Sequence, residues 1–273
     1  MTRKKIYVQE IARQISRFFT TGSAETLIAW LVVEGSQPDP DATLLLTMAF
    51  GDTIREYAAT DEGDCRILWN LCTEFACISS EDAPDGDPYE SLPLCGVLGI
   101  SGIGAISPEF TEMALDQLQD ASLDPRQRVR EAVVLGIRDL LATEREVTIG
   151  GLERWVESGS WLSMRAVAAS IVEPGLLSEP ELADAALRLH RKILIRVYTT
   201  EERQTEDLSI LKETLGYTLG QAVVALPGIG FEYLRQLSTL DDRDVKWIVR
   251  ENLEREPLQQ QYPETVRHIQ ANL

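Results

Sequence analysis

The stretch from Asp124 to Leu141, DPRQRVREAVVLGIRDLL, decides the fold. Val129, Ala132, Val133, Gly136, Ile137, Leu140 and Leu141 recur at the i, i+3, i+4, i+7 spacing that gathers apolar side chains on one face of an α-helix. Asp124 suits the N-cap, where a carboxylate accepts from unbonded backbone amides. Pro125 suits the first helical position, where its missing donor costs nothing. The opposite face carries Arg128, Arg130, Glu131, Arg138 and Asp139.

Working outward, the same kind of start recurs. Ser107-Pro108-Glu109 opens a helix through Leu118. Ser160 opens WLSMRAVAASI, and Asp241 opens DRDVKWIVRENLER, whose stripe is Val245, Ile248, Val249 and Leu253. Ser178 with Glu181 three residues on is spaced as a capping box, with Pro180 in the first turn. Further helices are predicted over 5–19, 24–34, 43–59, 64–79, 182–199, 208–225, 230–238 and 263–272. Little reads as strand, and the acidic 81–90 stretch is predicted to be a long or mobile loop.

Three segments share one layout of amphipathic helix, short polar turn and capped second helix: LDQLQDASLDPRQRVREAVVLGI, LERWVESGSWLSMRAVAASI and YLRQLSTLDDRDVKWIVRENL. A looser fourth is ILIRVYTTEERQTEDLSILKETLGYTL. Their second helices start near Asp124, Ser160, Asp207 and Asp241, at steps in the range of helix-pair repeats, roughly 34 to 47 residues. One helix pair cannot bury its own apolar stripe, so neighbours must stack in series. The expected fold is therefore an all-α, right-handed α-solenoid of about five or six helix pairs. It is expected as one domain over 1–273, with divergent acidic repeats in 1–106 and clearer ones in 107–273.

The Asp-Pro-x-x-Arg-Val-Arg-Glu-Ala run at 124–132, and Asp244-Val245-Lys246-Trp247, resemble the second-helix start of HEAT repeats, an armadillo-like class. The DVKWIVRENLER run is also similar to bacterial HEAT-like proteins related to alkylpurine DNA glycosylases. That resemblance implies a concave DNA-binding surface lined by basic residues, Trp and a catalytic Asp. No motif here places that Asp.

Charge divides unevenly. The chain carries a formal −18, but residues 1–20 hold five Lys/Arg against one acid, 21–123 hold two against 19, and 124–273 hold 19 against 24. A surface this acidic repels phosphate, which disfavours nucleic acid; it reads first as a solubilising face, and in a sharper reading as a docking face for a basic protein partner or a mimic of a nucleic-acid backbone. No apolar run reaches the ~20 residues that span a bilayer, and the N-terminus lacks the apolar segment of a signal peptide. A cytoplasmic location is expected. Cys65, Cys72, Cys77 and Cys95 form no C-x-x-C pair and read as small buried residues in a reducing environment.

The chemistry-bearing candidates are few. GVLGISGIG at 96–104 lacks the ending of a phosphate-binding loop and reads as small residues at a tight helix–helix contact or turn. Asp82, Asp85 and Asp87 miss the EF-hand spacing. His190 reads as half-buried packing and His268 as exposed; neither has a Ser or Cys partner at a motif spacing. No catalytic residue, cofactor site or metal ligand is assigned. Trp155, Trp161 and Trp247 lie on the repeats, and Trp161–Arg165 and Trp247–Arg250 each share a helix face. The expected partner-binding residues are Arg128, Arg130, Trp161, Arg165, Lys246, Trp247 and Arg250. The expected function is a non-enzymatic adaptor, scaffold or regulatory subunit, the alternative being a DNA-repair protein of the alkylpurine glycosylase type.

Overall fold

The computed structural model describes residues 2–37, 39–271 and 273, and among them there are helices and turns but no strand. The fold is all-α, of the helical-repeat solenoid class. The chain divides into two compact units, 1–148 and 149–273.

In the first unit, α1 (Arg3–Thr21), α2 (Glu25–Gly35), α3 (Pro40–Ala58) and α4 (Glu62–Ala76) lead through a 3₁₀ turn at Pro88–Glu90 into α5 (Ser91–Gly104), α6 (Pro108–Ala121) and α7 (Gln127–Thr143). Alternate helices stack: α1 on α3, α3 on α5, α5 on α7, with α4 and α6 also against α5. This skip-one packing is how serial helix pairs bury stripes that one pair would leave wet.

Helix α5 is the centre. All 14 of its residues are buried, and it has no charged side chain. Its glycines let four helices approach it closely. A Cβ on Gly96 would stand 2.3 Å from the Ala76 nitrogen and 2.6 Å from the Cys72 carbonyl oxygen, and one on Gly99 would stand 2.4 Å from Cys72 Sγ. The 96–104 glycines are thus contact residues of a continuous helix. Cys65, Cys72 and Cys95 are buried as expected, whereas Cys77 is exposed because α4 ends before it. Burial holds the Cys72 and Cys95 thiols protonated.

The second unit contains most of α8 (Arg145–Ser158), followed by α9 (Trp161–Ser170), α10 (Pro174–Leu177), α11 (Pro180–Thr199), α12 (Glu206–Ala225), α13 (Pro227–Ser238), α14 (Arg243–Leu253), α15 (Leu258–Gln261) and α16 (Pro263–Gln270). Here α9 packs on α12 and α12 on α14, and α11 runs against α12. The four expected second helices are α7, α9, α12 and α14. Trp155 is core, 2% exposed.

Several starts differ from expectation. Helix α7 begins at Gln127, because Asp124 caps nothing in it. The Asp124 carboxylate instead receives the Arg126 backbone amide at 2.8 Å and its guanidinium at 2.9 and 2.6 Å. The Ser178–Glu181 capping box does not form: the Ser178 hydroxyl donates to the Gly175 carbonyl and closes α10. Asp242, not Asp241, caps α14, accepting from the Val245 amide at 2.9 Å.

The acidic loop is held rather than loose. Arg126 is 2% exposed and donates to the carbonyls of Ile78 (2.8 Å), Ala83 (2.9 Å) and Ser79 (3.3 Å). Buried Glu90 accepts from the Gly86 amide at 3.0 Å and from Arg128 at 2.7 Å. One guanidinium therefore satisfies the Ile78 and Ala83 carbonyls and adds a second bond to Ser79, whose carbonyl already accepts the Ala83 amide at 3.0 Å.

Two outcomes test this packing. Gly96→Ala raises helix propensity by up to ~1 kcal/mol, yet the Cβ has backbone on two sides, so we expect net destabilisation of about 2 kcal/mol in urea unfolding. Arg126→Met leaves the Ile78 and Ala83 carbonyls without their donor and strips the half-buried Asp124 carboxylate of its counter-charge. It is expected to cost roughly 3 kcal/mol and to open residues 78–83 to limited proteolysis. An unchanged cleavage pattern would contradict the clamp.

Candidate functional site

A cavity of about 600 Å³ in the second unit lies where the loop before α12 meets the starts of α12 and α14. Its walls include Arg203 and Gln204 from the loop, Lys212 and Glu213 from α12, and Asp241 to Asp244 and Trp247 around the start of α14. The local sequence explains the site. Thr205 caps α12 through the Leu208 amide, Asp242 caps α14, and both caps aim charged side chains inward from short turns.

An ionic network holds these walls together. Arg203 reaches Asp242 at 2.7 Å and Asp244 at 3.2 Å, and Lys212 reaches Asp244 at 2.9 Å. Arg203 also donates to the Tyr198 and Thr200 carbonyls at the end of α11, at 2.7 and 3.1 Å. One arginine thus joins the last turn of α11 to the first turn of α14. Burial alone would raise the Asp244 pKa, but Lys212 and Arg203 outweigh it and hold the carboxyl below its ordinary value. Lys246 lies 3.6 Å from Asp241.

Trp247 supplies the aromatic wall. It is half-buried, and its ring lies over α12 at Gly216, where a Cβ would stand 3.5 Å from the indole. Arg250, one turn on, is exposed. The expected partner-binding residues therefore fall in separate places. Lys246, Trp247 and Arg250 lie at or beside this cavity. Trp161 is half-buried at the start of α9, and Arg165, one turn later, is buried at 7% exposure. Arg128 is paired with Glu90, and Arg130 donates at 2.7 Å to both the Asp124 and Pro125 carbonyls. Arg203, Lys212, Asp242 and Asp244 were not singled out by sequence. The one signal was Asp241-Asp242-Arg243-Asp244, where three acids in four residues exceed what one helix cap uses.

His190 differs from its half-buried expectation and is fully buried. Its Nδ1 donates to the Ala186 carbonyl at 2.7 Å. Its Nε2 lies 2.9 Å from the Thr218 hydroxyl, which also reaches the Thr214 carbonyl at 3.0 Å. Burial pushes its pKa down to about 4, against the raising effect of the Ala186 carbonyl. His268 is exposed. Among the described residues no group of three or more His, Cys, Asp or Glu side chains converges to hold a metal ion, and no helix is long and apolar enough to cross a membrane.

No protein family matches the chain, and no curated protein matches it. Among solved structures, an engineered protein from a structural genomics consortium aligns over 90% of this chain and 97% of its own, at 12% identity and a TM-score of 0.31. Two designed armadillo repeat proteins, one in complex with the peptide (KR)4, each align over 83% of this chain and 98% of their own. They do so at 15% and 14% identity, both with a TM-score of 0.29. The fold assignment rests on the helices and their packing, not on likenesses this loose.

His190 gives a signed expectation. The unfolded chain takes up a proton near pH 6.5, the folded one only near pH 4. Below pH 6.5 the unfolded state binds more protons, so this contribution is whole above pH 6.5 and is lost as pH falls toward 4. The loss is on the order of 3 kcal/mol. The difference in unfolding free energy between the wild type and His190→Gln, measured from pH 7 to 4, should shrink over that window. A pH-independent difference would contradict the assignment.

Proposed function

We propose that this protein is a cytoplasmic, HEAT-like binding module, an adaptor or regulatory subunit with no catalytic activity of its own, which holds a basic protein partner. The observation that carries this reading is Trp247, half-exposed at the wall of the 600 Å³ cavity and ringed by charge. Aromatic side chains in partly enclosed, charge-rimmed pockets are the usual anchors of protein interfaces. Inside the cavity, Asp242 and Asp244 are balanced by Arg203 and Lys212, while Glu213 and Asp241 stand exposed at its edge. A partner's Lys or Arg lying on the indole face would gain a cation–π contact with a carboxylate beside it. The chain's formal charge of −18 steers such a partner at long range.

The test is a pull-down from native extract with the wild type and Trp247→Ala, run beside a salt-titrated duplex-DNA titration. A discrete partner should be captured by the wild type. Trp247→Ala should weaken that complex by about 2 kcal/mol, or roughly 30-fold. Tight duplex-DNA binding that weakens steeply with salt would overturn the reading in favour of a DNA-binding repeat protein.

A further inference from the structure

We propose that the first unit carries a second, separate docking site: a groove between α3 and α7 that takes one face of an amphipathic α-helix flanked by Lys or Arg. The groove holds about 380 Å³ and is lined by Leu44 of α3, Leu94 of α5 and Leu135 of α7. It exists because α5 is buried along its whole length and lies recessed beneath the helices stacked on either side. Leu44 is 43% exposed, and Met48, one turn further along the same face, is 36% exposed. Leu44 and Met48, just beyond the groove, form an i, i+4 ridge on α3, and such a ridge seats between the side-chain rows of a helix laid against it.

The groove offers no free main-chain edge, which favours a helix over an extended segment. Its walls are helical, so their main-chain groups are largely spent on internal bonds. Its two threonine hydroxyls are committed as well, Thr43 to the Gly35 carbonyl and Thr47 to the Leu44 carbonyl. An extended peptide laid here would find only scattered side-chain acceptors and no main-chain ladder for its backbone amides, whereas a helix bonds its own.

Charge selects the flanks. Asp85 lines the groove, while Arg128, the cation lining it, is balanced at 2.7 Å by buried Glu90. Asp85 stands exposed on the loop that Arg126 fastens at Ile78, Ser79 and Ala83, so its charge is held at a defined place. The unit has 12 Lys/Arg against 25 Asp/Glu, which repels an anionic helix and attracts a cationic one.

The probes are three labelled peptides of about 18 residues, or five helical turns, titrated into the full chain by fluorescence anisotropy. One is Leu/Lys with helical spacing, one has the same composition in strict alternation, and one is Leu/Glu with helical spacing. The helical Leu/Lys peptide should bind and gain helicity. Leu44→Glu should weaken it about tenfold or more, and Asp85→Lys severalfold. Ile67→Glu, at an exposed position on α4, should leave it unchanged. Circular dichroism of each variant checks the fold, and the exposure of Leu44 keeps that substitution compatible with it. Equal binding of the alternating peptide, equal binding of the Leu/Glu helix, or indifference to Leu44→Glu would overturn the proposal. Trp247→Ala should not affect this peptide. A loss there would place the peptide in the other cavity and overturn the proposal while leaving the Trp247 reading intact.

Discussion

The first unit depends on one constraint: α5 must be small enough to be surrounded. A helix packed by α3, α4, α6 and α7 has no face left for water, so it carries no charge and cannot carry large side chains everywhere. Glycine at 96 and 99 brings its backbone against α4 more closely than any other residue allows. Close approach increases dispersion contacts along the whole helix, which offsets the conformational cost of glycine within it. The surrounding elements are then ordinary amphipathic helices, because the unit's most demanding burial problem has been solved at its centre.

The helix pattern was legible in sequence because most helices here have one wet face. The stripe in 124–141 and the starts at Ser160 and Asp241 marked α7, α9 and α14 to within a few residues. Helix α5 showed only as a glycine-rich apolar run. A helix buried on every side has no amphipathic period to read, so sequence gave its packing role but not its extent. The capping expectations at Asp124 and Ser178 went wrong for a shared reason. A short polar side chain has several backbone partners within reach, and tertiary contacts choose among them. At Asp124 the choice was made by Arg126.

The candidate site was half legible. Trp247, Lys246 and Arg250 shared a helix and so could be grouped from spacing alone. Arg203 and Lys212 come from a different repeat, and their convergence on Asp242 and Asp244 is a product of stacking. Arg128 and Arg130 looked like surface cations because charge on a helix face is usually solvated. Sequence held no sign that a carboxylate 38 residues upstream, Glu90, would be buried against Arg128.

The Arg126 clamp also orders the chain's assembly in time. Its contact with Ile78 spans 48 residues, and between them lie all of α5 and α6. As the chain is synthesised, the Ile78 and Ala83 carbonyls lack the donor that holds them until residue 126 has emerged. Closing so long a segment costs entropy that only finished helix packing offsets. The acidic loop should therefore be among the last parts of the first unit to settle. Its ordering reports that α7 has docked, which makes it an internal marker of a completed unit.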